Sequence, residues 1–119
     1  WEAILFAAHH KLNNLVAIID RNRLQSIHST EDTLSLEPFP DKWKSFGWEV
    51  IEVDGHNHEE IFNACSNIRT PKNKPLCIIA NTTKGKNVSF MENNVLWHYR
   101  SPQGDEYKAA IAELEKNNA

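Results

Sequence analysis

Cysteine is scarce in this 119-residue sequence, where Cys65 and Cys77 are the whole supply. Two are too few for a disulfide scaffold and fit a reducing cytoplasmic setting. With only 4 glycines and 5 prolines, the chain is neither collagenous nor a low-complexity linker. No apolar run approaches the roughly 18 residues a bilayer span needs. No leader-type pattern opens the sequence, so neither a membrane span nor a targeting segment is expected within it. Cations are outnumbered: 13 Lys and Arg stand against 16 Asp and Glu, a net charge of −3 at pH 7. Without a basic cluster, nucleic acid is not an expected partner. What remains is ordinary globular material, 40% hydrophobic and 24% charged, enough for at most one domain of the common ~100–150 residues.

The sequence opens Trp1-Glu2-Ala3-Ile4-Leu5-Phe6-Ala7-Ala8, with no initiator Met and no Ser, Thr, Asp or Asn ahead of it to cap a helix. Residues 1–12 nonetheless read as a helix apolar on three sides, the pattern of a helix buried in something larger. The expectation is a domain cut in its middle, with residues 1–119 forming one partial domain. Three apolar, β-branched runs follow: Leu15–Ile19, Trp48–Val53 and Leu76–Ala80. The first and third are apolar throughout, as expected of parallel strands covered on both faces. The middle one is interrupted by Glu49 and Glu52, which places it nearer an edge. A short helix is predicted over Asp41–Phe46, stopped by Gly47. A longer one over Asn57–Ile68 starts on an Asn57–Glu60 capping box and turns Ile61, Phe62, Ala64, Cys65 and Ile68 to one face. A last helix over Asp105–Lys116 puts Ala109, Ile111, Ala112 and Leu114 within charged surroundings, before a tail that frays. Strands alternating with helices predict an α/β fold, a parallel sheet flanked by helices in three layers.

In open parallel sheets, ligands bind beyond the carboxyl ends of the strands. Here those ends are Asp20–Gln25, Asp54–Asn57 and Asn81–Asn87, all polar. Lys84 and Lys86 around Gly85 form a donor-rich turn suited to a phosphate oxygen, and equally a solvated basic turn. Asn22, just after a strand, offers the hard amide oxygen that suits Mg²⁺ beside a phosphate, although a turn-forming Asn reads the same way. His98, between Trp97 and Tyr99, could donate to a phosphate or a substrate oxygen, or be a shielded loop histidine. The other histidines give no metal pattern. His9 and His10 diverge by roughly 100° on a helix, and His56 and His58 lack further ligands at zinc spacing.

Several of these segments, in the same order, resemble transketolase. They are Trp1-Glu2-Ala3, His9-His10-Lys11-Leu12-Asn13-Asn14-Leu15, Ile19-Asp20-Arg21-Asn22-Arg23-Leu24-Gln25, Phe46-Gly47-Trp48-Glu49-Val50, Val53-Asp54-Gly55-His56 and Thr82-Thr83-Lys84-Gly85-Lys86. Val88–Asn93 leading to Trp97-His98 is similar to the N-terminal subunit of the type split over two chains. The resemblance implies the second half of the thiamine-diphosphate-binding domain, incomplete at its N-terminus. It implies that Asn22 and the backbone carbonyl of Leu24 bind Mg²⁺, with Ca²⁺ able to substitute. Lys84 would lie near the diphosphate, and His98 would contact the diphosphate and the donor substrate as the catalytic histidine. The implied reaction moves a two-carbon ketol unit from a ketose to an aldose among sugar phosphates, as in the pentose phosphate pathway of the cytoplasm. The implied partner is a C-terminal transketolase subunit, in a homodimer or heterotetramer.

Departures accompany the likeness. The family's Gly-Asp-Gly half-motif and its upstream histidines fall before Trp1, and its activating Glu belongs to another domain, so the chain alone is expected to be inactive. Asn87 stands for the second Gly of the usual Lys-Gly-x-Gly turn, a residue that tolerates positive φ. Tyr99-Arg100 replaces a common Gly, and Ser26-Ile27-His28-Ser29 replaces a small Gly-containing stretch and is expected to be mobile. Two rivals are a deoxyxylulose-phosphate-synthase-like enzyme of the same cofactor class and a non-catalytic, flavodoxin-like α/β binding module.

Overall fold

The computed structural model describes residues 1–66 and 73–117; the expectations for Ile68 and for the last two residues lie outside them. In chain order the elements are α1 (Glu2–His9), β1 (Val16–Arg21), α2 (Thr30–Thr33), α3 (Phe39–Ser45), β2 (Glu49–Asp54), α4 (His58–Ser66), β3 (Leu76–Asn81) and α5 (Asp105–Asn117), with a 3-10 turn at Val95–His98 before α5. They fall into two compact units. One holds Trp1–Arg21 and Ser35–Thr82; the other holds Asn22–Leu34 and the residues from Thr83 on.

The first unit is built on a parallel sheet of order β1-β3-β2. Only β3 has a strand on each side, and its residues from Leu76 to Ala80 are all buried. Side chains alternate across a strand, so Cys77 and Ile79 face one layer while Leu76, Ile78 and Ala80 face the other. The first layer is closed by Ala7 of α1, Phe39 and Trp43 of α3, and Trp48. Trp43 and Trp48 meet edge to face with centroids 4.9 Å apart, and the Trp48 indole donates to the Ile4 carbonyl at 2.9 Å. The second layer is closed by Ala64 of α4 with Val53. Each buried Ile or Leu side chain here is worth about 1.5–3 kcal/mol relative to exposure. Burial also pushes the Cys77 thiol up to about 12, so it is an inert core group.

Local chemistry sets the helix ends. Gly47, at φ +93°, completes a Schellman ending on α3: its N–H donates to Lys44 O at 2.9 Å and that of Trp48 to Trp43 O at 3.3 Å. The Asn57 side chain accepts from the N–H groups of Glu59 and Glu60 at 3.0 and 3.3 Å. The second half of the expected box is re-routed, because Glu60 accepts from the Asp54 N–H at 2.8 Å and thereby ties β2 to α4. At the carboxyl end of β1, Arg21 is only 5% exposed. It reaches Glu37 at 2.8 Å and lies 5.6 Å from the Phe39 ring centroid.

Several burial expectations change. Helix α1 is covered along Ile4, Ala7 and Ala8, while Trp1, Leu5 and Phe6 are exposed. β2 is at an edge as expected, but so is β1, where Ile18 is 61% exposed. Its face is shared with Ile78, and α4 packs there against β2, on the far side of the sheet from β1. On α4, Ile61, Ala64 and Cys65 turn inward, whereas Phe62 sits a further step round the helix and is exposed. No described helix is long and apolar enough to cross a membrane.

In the second unit Val88, Trp97 and Ala110 are buried. The covered side of α5 runs through Glu106, Ala110, Glu113 and Leu114, not the expected Ala109, Ile111 and Ala112, because the helix is anchored by a carboxylate. Glu113 accepts from the Ser89 N–H at 2.5 Å and from the Ser89 hydroxyl at 2.8 Å. Those donors, the backbone N–H foremost, hold the Glu113 carboxyl below its ordinary 4.5. A depressed folded value means the stabilisation is present above the unfolded pKa and is lost as pH falls through the folded one. A carbon-13 titration of the Glu113 carboxyl is therefore expected to show a midpoint below 4.5. Ser89→Ala, which keeps the backbone donor, should move it only part of the way back; a wild-type midpoint at or above the ordinary value would contradict the clasp.

Candidate functional site: an anion and cation cleft in the second unit

The chain leaves β1 at Arg21 and runs straight into Asn22, where polar ligands are cheapest to place: at the end of a buried parallel strand. The Asn22 side-chain oxygen accepts the Leu24 N–H at 2.9 Å, an Asx turn that fixes the amide. Arg23 takes the left-handed φ of 63° this turn requires. The loop then closes on itself. Gln25 N–H donates to His28 O at 3.0 Å and Thr30 N–H to Arg23 O at 2.9 Å, which flank an antiparallel Leu24–Ser29 bridge. In such a pair the two opposed residues do not bond each other, so the bridge leaves the Leu24 carbonyl unspent. Ser29 then caps α2, accepting the Asp32 N–H at 3.1 Å. The stretch Ser26–Ser29 is thus the tip of a closed loop.

Lys84 enters from the segment after β3. Its turn contains two left-handed residues, Gly85 at φ 72° and Asn87 at φ 70°. Asn87 therefore does the conformational work of the glycine it replaces. The Lys84 ammonium is half-buried and makes no ion pair or hydrogen bond among the described residues. His98 ends the 3-10 turn, which Asn94 caps by accepting the Leu96 N–H at 3.0 Å. Its neighbour Trp97 is the anchor: buried, donating from its indole to Phe90 O at 2.9 Å, and covered by the Arg100 guanidinium 4.5 Å from its ring centroid. Arg100 in turn pairs with Glu106. Tyr99-Arg100, in place of the common Gly, thus serves to fix Trp97, while His98 is left exposed with its ring edge-on to Tyr99.

These pieces line one cleft of about 130 Å³, walled by Asn22, Leu24, Gln25, Ser26, Lys84, Val95 and His98. All four residues singled out from the sequence, Asn22, Leu24, Lys84 and His98, are on its wall. Gln25, Ser26 and Val95 are additions to that set. The cleft juxtaposes a fixed amide oxygen and a carbonyl with an ammonium and an imidazole. Neutral oxygens suit a hard divalent cation, and the nitrogen donors suit phosphate oxygens. Among the described residues no three His, Cys, Asp or Glu side chains converge, so any cation here depends on oxygens that an anionic ligand would itself supply. That donor set fits a diphosphate with its metal ion.

Comparison with known proteins agrees with this chemistry. Residues 1–116 match the family described as transketolase, thiamine diphosphate binding domain. One of the two subunit types of apulose-4-phosphate transketolase, from Phocaeicola vulgatus, is 43% identical over 116 residues, covering 98% of this chain and 41% of that protein. The 6-deoxy-6-sulfo-D-fructose transketolase subunit SqwG of a Clostridium species is 42% identical over 119 residues, covering 100% of this chain and 43% of that protein. The chain thus spans about two fifths of the length of these curated relatives. Among solved structures, transketolase from Campylobacter jejuni superposes with a TM-score of 0.82 at 29% identity, covering 94% of this chain and 17% of that one. With the family matched over nearly its whole length, this chain belongs to the transketolase family, in its thiamine-diphosphate-binding domain.

Proposed function

We propose that the chain is the second half of the thiamine-diphosphate-binding domain of a two-chain transketolase, working in the cytoplasm with a C-terminal partner subunit in a homodimer or heterotetramer. The observation that carries this is the single cleft walled by Asn22, Leu24, Lys84 and His98. The apolar side chains left exposed on α1 and β1, Leu5, Phe6 and Ile18, support a domain that continues beyond this sequence. The relatives named as subunits support a partner chain.

In this function Asn22 Oδ1 and the Leu24 carbonyl hold Mg²⁺, or Ca²⁺ in its place, against the diphosphate. Lys84 neutralises charge on the diphosphate oxygens, and His98 donates a hydrogen bond to them while its ring borders the donor sugar. When bound, thiamine diphosphate supplies the carbanion chemistry that lets a two-carbon ketol unit leave a ketose and join an aldose. The protein's part is to fix the anion and exclude misplacement, which is why the four groups sit on short closed loops. Two relatives are named for ketoses bearing a phosphate and a sulfo group. An anionic ketose is accordingly the donor class.

The test joins the complete subunit carrying this chain to its partner, with thiamine diphosphate and Mg²⁺, and supplies an anionic ketose and an aldose. The expected product is a ketose two carbons longer than the aldose. Turnover of pyruvate in place of the ketose, or indifference to thiamine diphosphate, would overturn the proposal. The 119-residue chain alone should bind thiamine diphosphate weakly or not at all in calorimetry; tight, Mg²⁺-dependent binding would show that the cleft needs nothing further.

A further inference from the structure

The turn that presents Lys84 is gripped from the segment 91–93. The Asn93 N–H donates to the Lys84 carbonyl at 3.0 Å. Gly85 is pressed so close to Met91 that an added Cβ would come within 2.6 Å of the Met91 carbonyl oxygen. At the far side of the turn, Glu92 Oε1 accepts the Asn87 N–H at 2.9 Å, and the Lys86 ammonium lies 3.8 Å from the same oxygen. One carboxylate thus secures the left-handed Asn87 and draws Lys86 to itself. Of the two lysines flanking Gly85, Lys84 lines the cleft and Lys86 does not.

We propose that Glu92 is a positioning residue for Lys84: by clamping the 84–87 turn through Asn87 and engaging Lys86, it fixes which lysine meets the anion. The proposal rests on the cofactor role given to the cleft above. Without the carboxylate, nothing opposes the positive-φ cost at Asn87, and relaxation there is passed along the turn to the Lys84 backbone. A charge-assisted acceptor on a backbone N–H is also stronger than a neutral one, so an amide oxygen at the same place keeps the link but loosens it.

The experiment uses the complete enzyme and two readouts: thiamine diphosphate affinity by calorimetry, and amide hydrogen exchange at Asn87 without cofactor. Glu92→Ala should weaken binding about tenfold, as loss of one charge-assisted hydrogen bond would, and should speed Asn87 exchange. Glu92→Gln, which retains an acceptor and secures the test against misfolding of the alanine variant, should stay within about threefold of wild type and keep the amide protected. In a Lys84→Ala background, Glu92→Ala should add nothing, since it acts through Lys84. An equal loss in that background, or a Glu92→Gln no better than Glu92→Ala, would overturn the positioning role while leaving the cofactor site intact. If Lys84→Ala itself leaves affinity unchanged, the cofactor role of the cleft falls and the positioning role with it.

Discussion

Replacing Ile79 with alanine is expected to lower the free energy of unfolding by about 2–5 kcal/mol, the range for truncating a buried Ile or Leu. Ile79 is 1% exposed and sits among Trp43, Trp48, Ala7 and Phe39. The surrounding rings are held by edge contacts and by the Trp48 indole bond to Ile4, so they collapse poorly into the void. A rigid wall leaves a cavity, and the cavity adds to the lost transfer energy. Ile18→Ala is the natural control, since that residue is 61% exposed on the edge strand β1. Its loss should stay within about 0.5 kcal/mol. Urea unfolding should show a lower midpoint for Ile79→Ala with an unchanged slope, and little shift for Ile18→Ala. Equal effects at the two positions would mean that β1 is packed as deeply as β3.

That contrast also marks what the sequence alone makes legible. The runs around Ile18 and Ile79 are alike in composition, and both read as strands covered on two faces. Periodicity reports which side chains share a face; it carries no information about which strand has neighbours. The order β1-β3-β2 decides that, and it leaves Ile18 outside. The same limit applies to Phe62, one position from the inward Ile61, and to α5, whose buried side is set by the Ser89–Glu113 clasp across 24 positions of sequence. Helix ends are legible, because Gly47 and Asn57 act through local geometry. At the site, Asn22, Lys84 and His98 are legible as polar groups past apolar strands or within an aromatic loop, and Leu24 through the family resemblance. Gln25, Ser26 and Val95 are not, since their places follow from closure of the Leu24–Ser29 loop and from the 3-10 turn. The signals that point towards them are the capping pattern of Ser29 with Asp32 and the Asn94 cap before Val95.

The second large effect is expected at Lys84. Its ammonium is half-buried, without an ion pair among the described residues, on the wall of a cleft that also presents the Asn22 amide and the His98 ring. A cation so placed is held ready for an anion instead of being neutralised by the protein. Removing it costs the charge-assisted bonds to the diphosphate, about 1.5–3 kcal/mol, or roughly ten- to a hundredfold in affinity. Lys84→Arg should recover only part of this, because the guanidinium is a planar fork where the turn presents a point charge. His98→Ala should lose affinity less than Lys84→Ala but lose turnover more, since its ring borders both the diphosphate and the donor.

The most direct test is calorimetric titration of thiamine diphosphate, with Mg²⁺ present, into the complete enzyme carrying this chain, comparing wild type with Lys84→Ala and His98→Ala. The cleft as described predicts weaker binding in both, with the greater loss at Lys84. Unchanged affinity in both variants would contradict the placement of the diphosphate in this cleft.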